Sequence, residues 1–364
     1  MNRVITLALL IVSVAVLAAS PLSAQGSGQA APPPPSAPAS SPDKFSGVVF
    51  GDYYYFASEN TPAFSKQQGF WFRRIFFTYD HAFSPALTTR FRLELASNGK
   101  LASPAANISP VIKDAWVRWS YSGKHQVTIG ISPTSTIEFV DGFFGLRHVE
   151  KTPIDLYRLD STRDFGVTLS GPLNTRNTVQ YSAQVGNDSG QASEIDKYKA
   201  VRLAVRYVTN PGLVAEGFYA YYSKPLSANR TTLQAFAGYQ NPTGRAGLQY
   251  FHHTRQPNAG TTNQEVTINV VSGFGVWMVK PAKFTVFGRI DHSDANPDAA
   301  AIDYLPIYKS APFTLGVMGV EYYIHPSVRL SPNVEWVKYG TPVAGAAAPA
   351  RNDLVYRLTW FWSW

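Results

Sequence analysis

The sequence predicts an all-β chain: a transmembrane antiparallel up-and-down β-barrel of about sixteen strands. Three observations carry this reading. The last segment alternates without a break, with Leu354, Tyr356, Leu358, Trp360, Trp362 and Trp364 on one face and Asp353, Val355, Arg357, Thr359, Phe361 and Ser363 on the other. Short and long connections alternate along most of the chain. Strand after strand carries its charges on one face only.

The end of the chain bears on the solvent. Tyr356, Trp360, Trp362 and Trp364 form an aromatic ladder that a soluble protein would have to leave in water. Such residues suit the membrane interface, where barrels carry an aromatic girdle and contact outer-membrane lipid.

The N-terminus reads Met1-Asn2-Arg3, then an apolar run from Val4 to Ala19, then Leu22-Ser23-Ala24. This is the pattern of a secretory signal peptide over residues 1–24, cut after Ala24. The apolar run is shorter than the roughly 20 residues that cross a bilayer. Residues 25–43 form an Ala/Pro-rich linker with Pro32-Pro33-Pro34-Pro35 at its centre, expected to be disordered or polyproline-like. Residues 44–364 are left for the barrel.

Composition removes several classes. The chain has 364 residues and no cysteine, so disulfides and thiol-bound metals are excluded. No later apolar run is long enough for a membrane helix, so any span must be β. The net charge is +8, but Lys and Arg are scattered singly and form no block. An exported chain of this kind is not expected to bind nucleic acid, and the basic balance points to anionic solutes or lipid. No metal or cofactor is expected.

Read in order, the strands fall at 44–57, 69–83, 86–98, 111–122, 124–132, 163–171, 174–187 and 197–208. The second half follows at 212–223, 229–241, 244–254, 264–278, 283–292, 312–324, 327–340 and 351–364. Tight turns sit at Ser84-Pro85, Gly123, Pro172-Leu173, Asn210-Pro211, Pro242-Thr243 and Pro326, with Val279–Ala282 slightly longer. The remaining connections are long, apart from one near Lys224–Ala228. Short turns at one end and long loops at the other match an outer-membrane barrel, short turns periplasmic and long loops extracellular.

Alternation also assigns the lumen. Arg or Lys on a lipid face costs roughly 2–4 kcal/mol at mid-membrane, so the charged faces must point inward. Inward basic candidates are Arg74, Arg90, Arg92, Arg118, Arg202, Arg206, Arg245, Lys283, Arg289, Arg329 and Arg357. Inward acidic candidates are Asp80, Glu94, Asp114, Glu216, Glu265, Asp291, Glu321, Glu335 and Asp353. Mixed signs imply pairing across strands. About sixteen strands enclose a lumen too wide for side chains to fill, and it holds water.

The longest connection, 133–162, is too long for an idle loop. Phe139, Phe143, Phe144, Leu146, Ile154 and Leu156 are too apolar for water, so the loop is expected to fold into the barrel and narrow it. It brings Arg147, His148, Lys151 and Arg158 to the constriction, facing Arg90, Arg92 and Arg118. An outward loop covering the barrel mouth or a neighbouring subunit is the alternative.

Local motifs resemble those of bacterial porins, most closely the phosphate-selective porin O/P family. Gly69-Phe70-Trp71-Phe72-Arg73-Arg74-Ile75 is similar to that group's early strand, and Lys113-Asp114-Ala115-Trp116-Val117 to a later one. Val127-Thr128-Ile129-Gly130 with Pro133 resembles the strand before its long third loop, and Arg163-Asp164-Phe165-Gly166-Val167 the strand after it. The C-terminal strand resembles the signal by which the barrel-assembly machinery inserts such proteins, with Trp364 in place of the more usual Phe. The resemblance implies a Gram-negative outer-membrane location, sixteen strands, a homotrimer and passive diffusion of small anionic or polar solutes. The family's arginine ladder cannot be carried over residue by residue, and the mixed signs favour broad anion passage over strict phosphate selectivity.

Two other classes remain. A barrel-borne enzyme needs a nucleophile and base in reach, and none of the seven His sits in a G-x-S-x-G or H-E-x-x-H context. A structural or adhesive barrel would insert without conducting. A soluble β-sandwich is disfavoured by the Trp-ended last strand and the asymmetric connections.

Overall fold

Neighbouring strands pair antiparallel in sequence order, and the last closes back on the first. The computed structural model describes residues 42–97, 108–193, 196–209, 212–261, 264–281, 283–295 and 305–364. The expected signal peptide and nearly all of the expected linker lie outside the described residues. The first eight strands are β1 (Asp43–Ser58), β2 (Gln68–Ser84), β3 (Leu87–Ser97), β4 (Ile108–Ser122), β5 (His125–Pro133), β6 (Arg163–Pro172), β7 (Val179–Gly186) and β8 (Ala200–Val208). They continue as β9 (Gly212–Tyr222), β10 (Arg230–Asn241), β11 (Gly244–Arg255), β12 (Val266–Lys280), β13 (Phe284–Ser293), β14 (Phe313–His325), β15 (Val328–Tyr339) and β16 (Asp353–Ser363).

Closure needs the two ends of the chain to meet. β1 pairs with β16 from Val48 opposite Ser363 to Ser58 opposite Leu354. Beyond that ladder, Gly47 and Trp364 exchange two backbone hydrogen bonds of 3.1 Å each. A closed sheet leaves no unpaired edge, which is what a bilayer demands of any β-structure within it.

The alternation expected from sequence is realised in β16. Asp353, Val355, Arg357 and Thr359 are buried, while Tyr356, Leu358, Trp362 and Trp364 are exposed on the outer face. Trp360 packs against Phe70 and Phe72 of β2, ring centres 6.0 Å away in each case. The outer wall elsewhere exposes Leu203, Val205, Leu213, Leu248, Val271, Trp277, Ile290 and Met318. A wall this apolar outside and charged inside is inverted relative to a soluble protein.

One connection differs from expectation. β7 begins at Val179, not at 174, because Asn174 organises the turn. Its side-chain oxygen accepts from the backbone N–H of Thr178 at 2.9 Å and of Val179 at 3.2 Å. This is the local side-chain-to-backbone bonding by which Asn competes with a ladder. Two expected lumen residues also fall outside the barrel wall. Lys283 is exposed in the turn before β13, and Glu265 is exposed just ahead of β12.

The hydrophobic core lies inside the barrel, under the 133–162 segment. That segment carries α1 (Ile137–Phe144) and α2 (Pro153–Leu156). In α1, Ile137, Val140, Phe143 and Phe144 are buried along one side, and Glu138 sits in the first turn, where the helix dipole favours an acid. Gly145 ends the helix at φ +69°, a left-handed cap that glycine adopts without strain.

Candidate pore and its constriction

Two β-bulges shape the charged wall. Opposite Phe50 and Gly51 of β1 stand Arg74 and Phe72, so Arg73 is an extra residue in β2. Opposite Arg92 and Leu93 of β3 stand Asp114 and Ile112, so Lys113 is extra in β4. Each bulge turns two consecutive residues inward, where strict alternation would give one. Arg73 donates to the carbonyls of His148 and Val149 at 3.0 and 2.6 Å, while Arg74 pairs with Glu94 at 2.7 Å. Lys113 reaches the other oxygen of Glu94 at 2.8 Å, and Asp114 binds Arg92 at 3.1 Å and Arg163 at 2.5 Å. Sequence periodicity missed Arg73 and Lys113 for this reason.

The long loop does fold inward. Phe143 meets Phe236 edge-on at 5.3 Å, Phe144 meets Phe274 at 5.0 Å, and Tyr157 meets Phe313 at 5.5 Å. Gly238 makes the first contact possible: a Cβ there would lie 2.6 Å from the Phe143 ring. Polar moorings surround this apolar seam. Arg245 donates to the Phe144 carbonyl at 2.9 Å, and Arg289 to the Lys151 carbonyl at 2.5 Å. Glu150 pairs with Arg357 at 3.1 Å, and the Tyr157 hydroxyl donates to Asp291 at 2.7 Å. Thr232 donates to the Leu159 carbonyl at 2.8 Å.

These contacts fix the loop to β2, to β10–β14 and to β16, and its first residues also bond β7, Ser182 donating to Ser135 at 3.1 Å. On the side of β4–β8 a polar cavity of about 110 Å³ stays open, lined by Arg118, Thr128, Ser132, Glu138, Phe139 and Arg206 among others.

The guanidinium groups on this side form an arc. Arg90 pairs with Asp80 at 2.7 Å, and Arg92 pairs with Asp114 and donates to Thr78 at 2.9 Å. Arg206 pairs with Glu216 at 2.5 Å and lies 4.9 Å from the Phe139 ring. Among the described residues Arg118 has no carboxylate within ion-pair distance. It stacks 4.5 Å above Trp116 and donates to Thr128 at 3.0 Å. Glu138 faces the arc from α1 and is about half exposed, with Arg163 at 3.9 Å.

The expected site residues divide into two groups. Arg74, Arg90, Arg92, Arg118 and Arg206 line the open side, together with Arg147, which pairs with Asp155 at 2.7 Å. Arg202, His148 and Lys151 are buried and do not face the lumen. Arg202 is fully buried between Asp160 at 2.9 Å and Asp164 at 2.6 Å. His148 is held by Glu321 at 2.6 Å, and Lys151 by Asp155 at 3.1 Å. Glu94 and Asp114 are likewise buried as counter-ions. Apart from Lys151, whose partner Asp155 is four residues on, these residues find their partners in separate segments, so the burial was not readable from periodicity. Arg158 points away from the constriction into a second cavity. In the loop, burial raises the Asp155 carboxyl, but the Lys151 and Arg147 charges outweigh it and hold Asp155 below its ordinary value.

No protein-family model matches the chain, and no curated protein does. Solved structures do match. The anion-selective porin of Comamonas acidovorans aligns with a TM-score of 0.65 at 13% identity, covering 88% of this chain and 99% of that one. OmpF of Salmonella typhi aligns at 0.62 with 9% identity, covering 88% and 97%. The outer membrane channel DcaP of Acinetobacter baumannii aligns at 0.59 with 11% identity, again covering 88% and 97%. The fold is that of the outer-membrane porins. At these identities the likeness is one of architecture, and it reaches porins as a class, not the phosphate-selective group.

Proposed function

We propose that this chain is an outer-membrane porin that passes small hydrophilic solutes, with a lean toward anions, through a pore narrowed by the 133–162 loop. The observation that carries the reading is the arc of Arg74, Arg90, Arg92, Arg118 and Arg206 on the open side. Among the described residues Arg118 within it is in no ion pair, with Glu138 the carboxylate that shares its cavity. A low-dielectric wall focuses the field of such a cluster into the water-filled passage, and an anion gains most from it where the passage is narrowest.

Most of the other luminal charges are paired, which supports a modest preference over strict selection. Phosphate is one candidate among small anions. Export by the 1–24 signal, insertion through the β16 signal and assembly as a homotrimer complete the proposal. They are supported by the sequence pattern and by the porin architecture.

Planar-bilayer recording of detergent-folded protein tests the reading. Stepwise conductance increments are expected. Heat-modifiable, folded protein that never conducts would replace it with a structural or adhesive barrel whose lumen the loop blocks.

A further inference from the structure

The long-loop end of the barrel gathers four segments at the seam where the sheet closes. Glu59 and Asn60 follow β1, Asp353 opens β16, Tyr339 ends β15, and Pro306 belongs to the connection ahead of β14. Glu59 and Asp353 are 0% and 5% exposed, and neither is in an ion pair among the described residues. Two neighbouring carboxyls buried in this way are costly unless something positive lies between them.

Oxygen atoms converge on one point. The side-chain nitrogen of Asn60 lies 2.6 Å from Glu59 Oε1, 2.8 Å from the Pro306 carbonyl, 3.1 Å from the Tyr339 hydroxyl and 3.2 Å from each Asp353 oxygen. Five acceptors thus surround a group that has only two N–H donors. The Asn60 backbone N–H and the Tyr339 hydroxyl also donate to Asp353. Glu59 Oε2 remains buried with no hydrogen-bond partner. A proton shared by the two carboxyls would satisfy two of these oxygens and leave the others competing for one amide. A hard divalent cation satisfies them together: Ca²⁺ takes about six to eight oxygens from carboxylates, carbonyls and amides. The frame is already held in place. Tyr308 donates its backbone N–H to the Tyr339 hydroxyl at 3.0 Å, the Ser58 hydroxyl donates to the Asn352 carbonyl at 2.6 Å, and Leu305 and Ile307 beside Pro306 are buried.

We propose that Glu59, Asp353, the Pro306 carbonyl and the Asn60 side chain form a calcium site, with Asn60 turning its amide oxygen toward the metal. The two carboxylates balance the charge of the ion. Bound there, it ties the connection ahead of β14 to the β1–β16 seam. Mg²⁺ suits the irregular cage poorly, because it demands near-octahedral geometry and gives up water reluctantly. The site goes beyond the porin reading, since it would bind whether or not the barrel conducts.

Equilibrium dialysis of the full-length, detergent-folded protein against radiolabelled calcium tests it, after a chelator has stripped the sample. Saturable binding of one calcium per chain is expected, with a rise in the thermal unfolding temperature as calcium is added. E59Q should weaken binding by about tenfold or more, the effect of removing a charged ligand, and should abolish the thermal shift. Gln fills the same space as Glu, and heat-modifiable gel migration reports that the variant is folded. The control E265Q, an exposed acid outside the cluster, should bind as wild type does. A tenfold excess of magnesium should leave the calcium in place. No saturable binding, full binding by folded E59Q, or equal loss in E265Q would overturn the proposal, and complete displacement by magnesium would overturn the assignment to calcium. Conductance is read separately, so a barrel that binds calcium without conducting contradicts the porin reading alone.

Discussion

Arg202 donates to Asp160 from Nε at 3.0 Å and from a terminal nitrogen at 2.9 Å, and neither side chain is exposed. One residue belongs to the barrel wall and the other to the return limb of the loop. The pair therefore moors a constriction element to β8. Removing one member of a buried ion pair costs about 3–5 kcal/mol, because the other charge is left unpaired. Arg202→Ala should lower barrel stability by that order in urea titration. It should also free the return limb, giving larger or noisier conductance steps. An unchanged midpoint and unchanged current would mean that the loop is held elsewhere.

Packing gives a second handle on the same loop. Gly238→Val adds atoms where a Cβ would lie 2.6 Å from Phe143. Overpacking of this kind costs about 1–3 kcal/mol. α1 should shift toward the open side, and single-channel conductance should fall while the protein still folds. Wild-type conductance in the variant would show that α1 does not border the pore.

The arginine arc predicts a contrast between two of its members. Arg118→Gln removes a charge that is in no ion pair among the described residues, so folding should be preserved while the anion-to-cation permeability ratio drops roughly two- to fivefold. Arg206→Gln leaves Glu216 buried without its cation, so it should destabilise by about 3 kcal/mol. Reversal potentials and urea midpoints measured on both variants separate the two effects.

The first long loop carries a pH-sensitive contact. Glu59 follows β1, is fully buried, and accepts from the Asn60 side chain at 2.6 Å. Burial, reinforced by the nearby Asp353 carboxyl, pushes Glu59 from 4.5 up to about 9. The folded chain thus keeps a proton that the unfolded chain releases near 4.5. Stability should fall as pH rises between about 4.5 and about 9, then level off. Glu59→Gln should flatten this dependence in thermal unfolding. An identical slope in the variant would assign it to other groups.

Much of the architecture was legible in the chain because a barrel wall obeys one rule, alternation, at every strand. β16 and its Trp ladder follow it throughout, and the inward course of the long loop follows from Phe143, Phe144 and Leu146, which needed cover. The bulges at Arg73 and Lys113 were not legible, since an extra residue shifts the period without leaving a mark in composition. Nor was the burial of Arg202, His148 and Lys151. A charge on the inward face reads the same whether it meets water or a distant carboxylate, and only the tertiary pairing of Arg202 with Asp160 or His148 with Glu321 decides. Asn174 was a missed turn signal, visible in retrospect as an Asn placed where its side chain could cap the next strand.

A conducting, anion-leaning pore is decided by the reversal potential of single channels in a planar bilayer under a salt gradient. Stepwise currents should reverse on the anion side and move toward zero in Arg118→Gln. A reversal on the cation side would contradict the anion lean, and folded protein without any steps would contradict the pore itself.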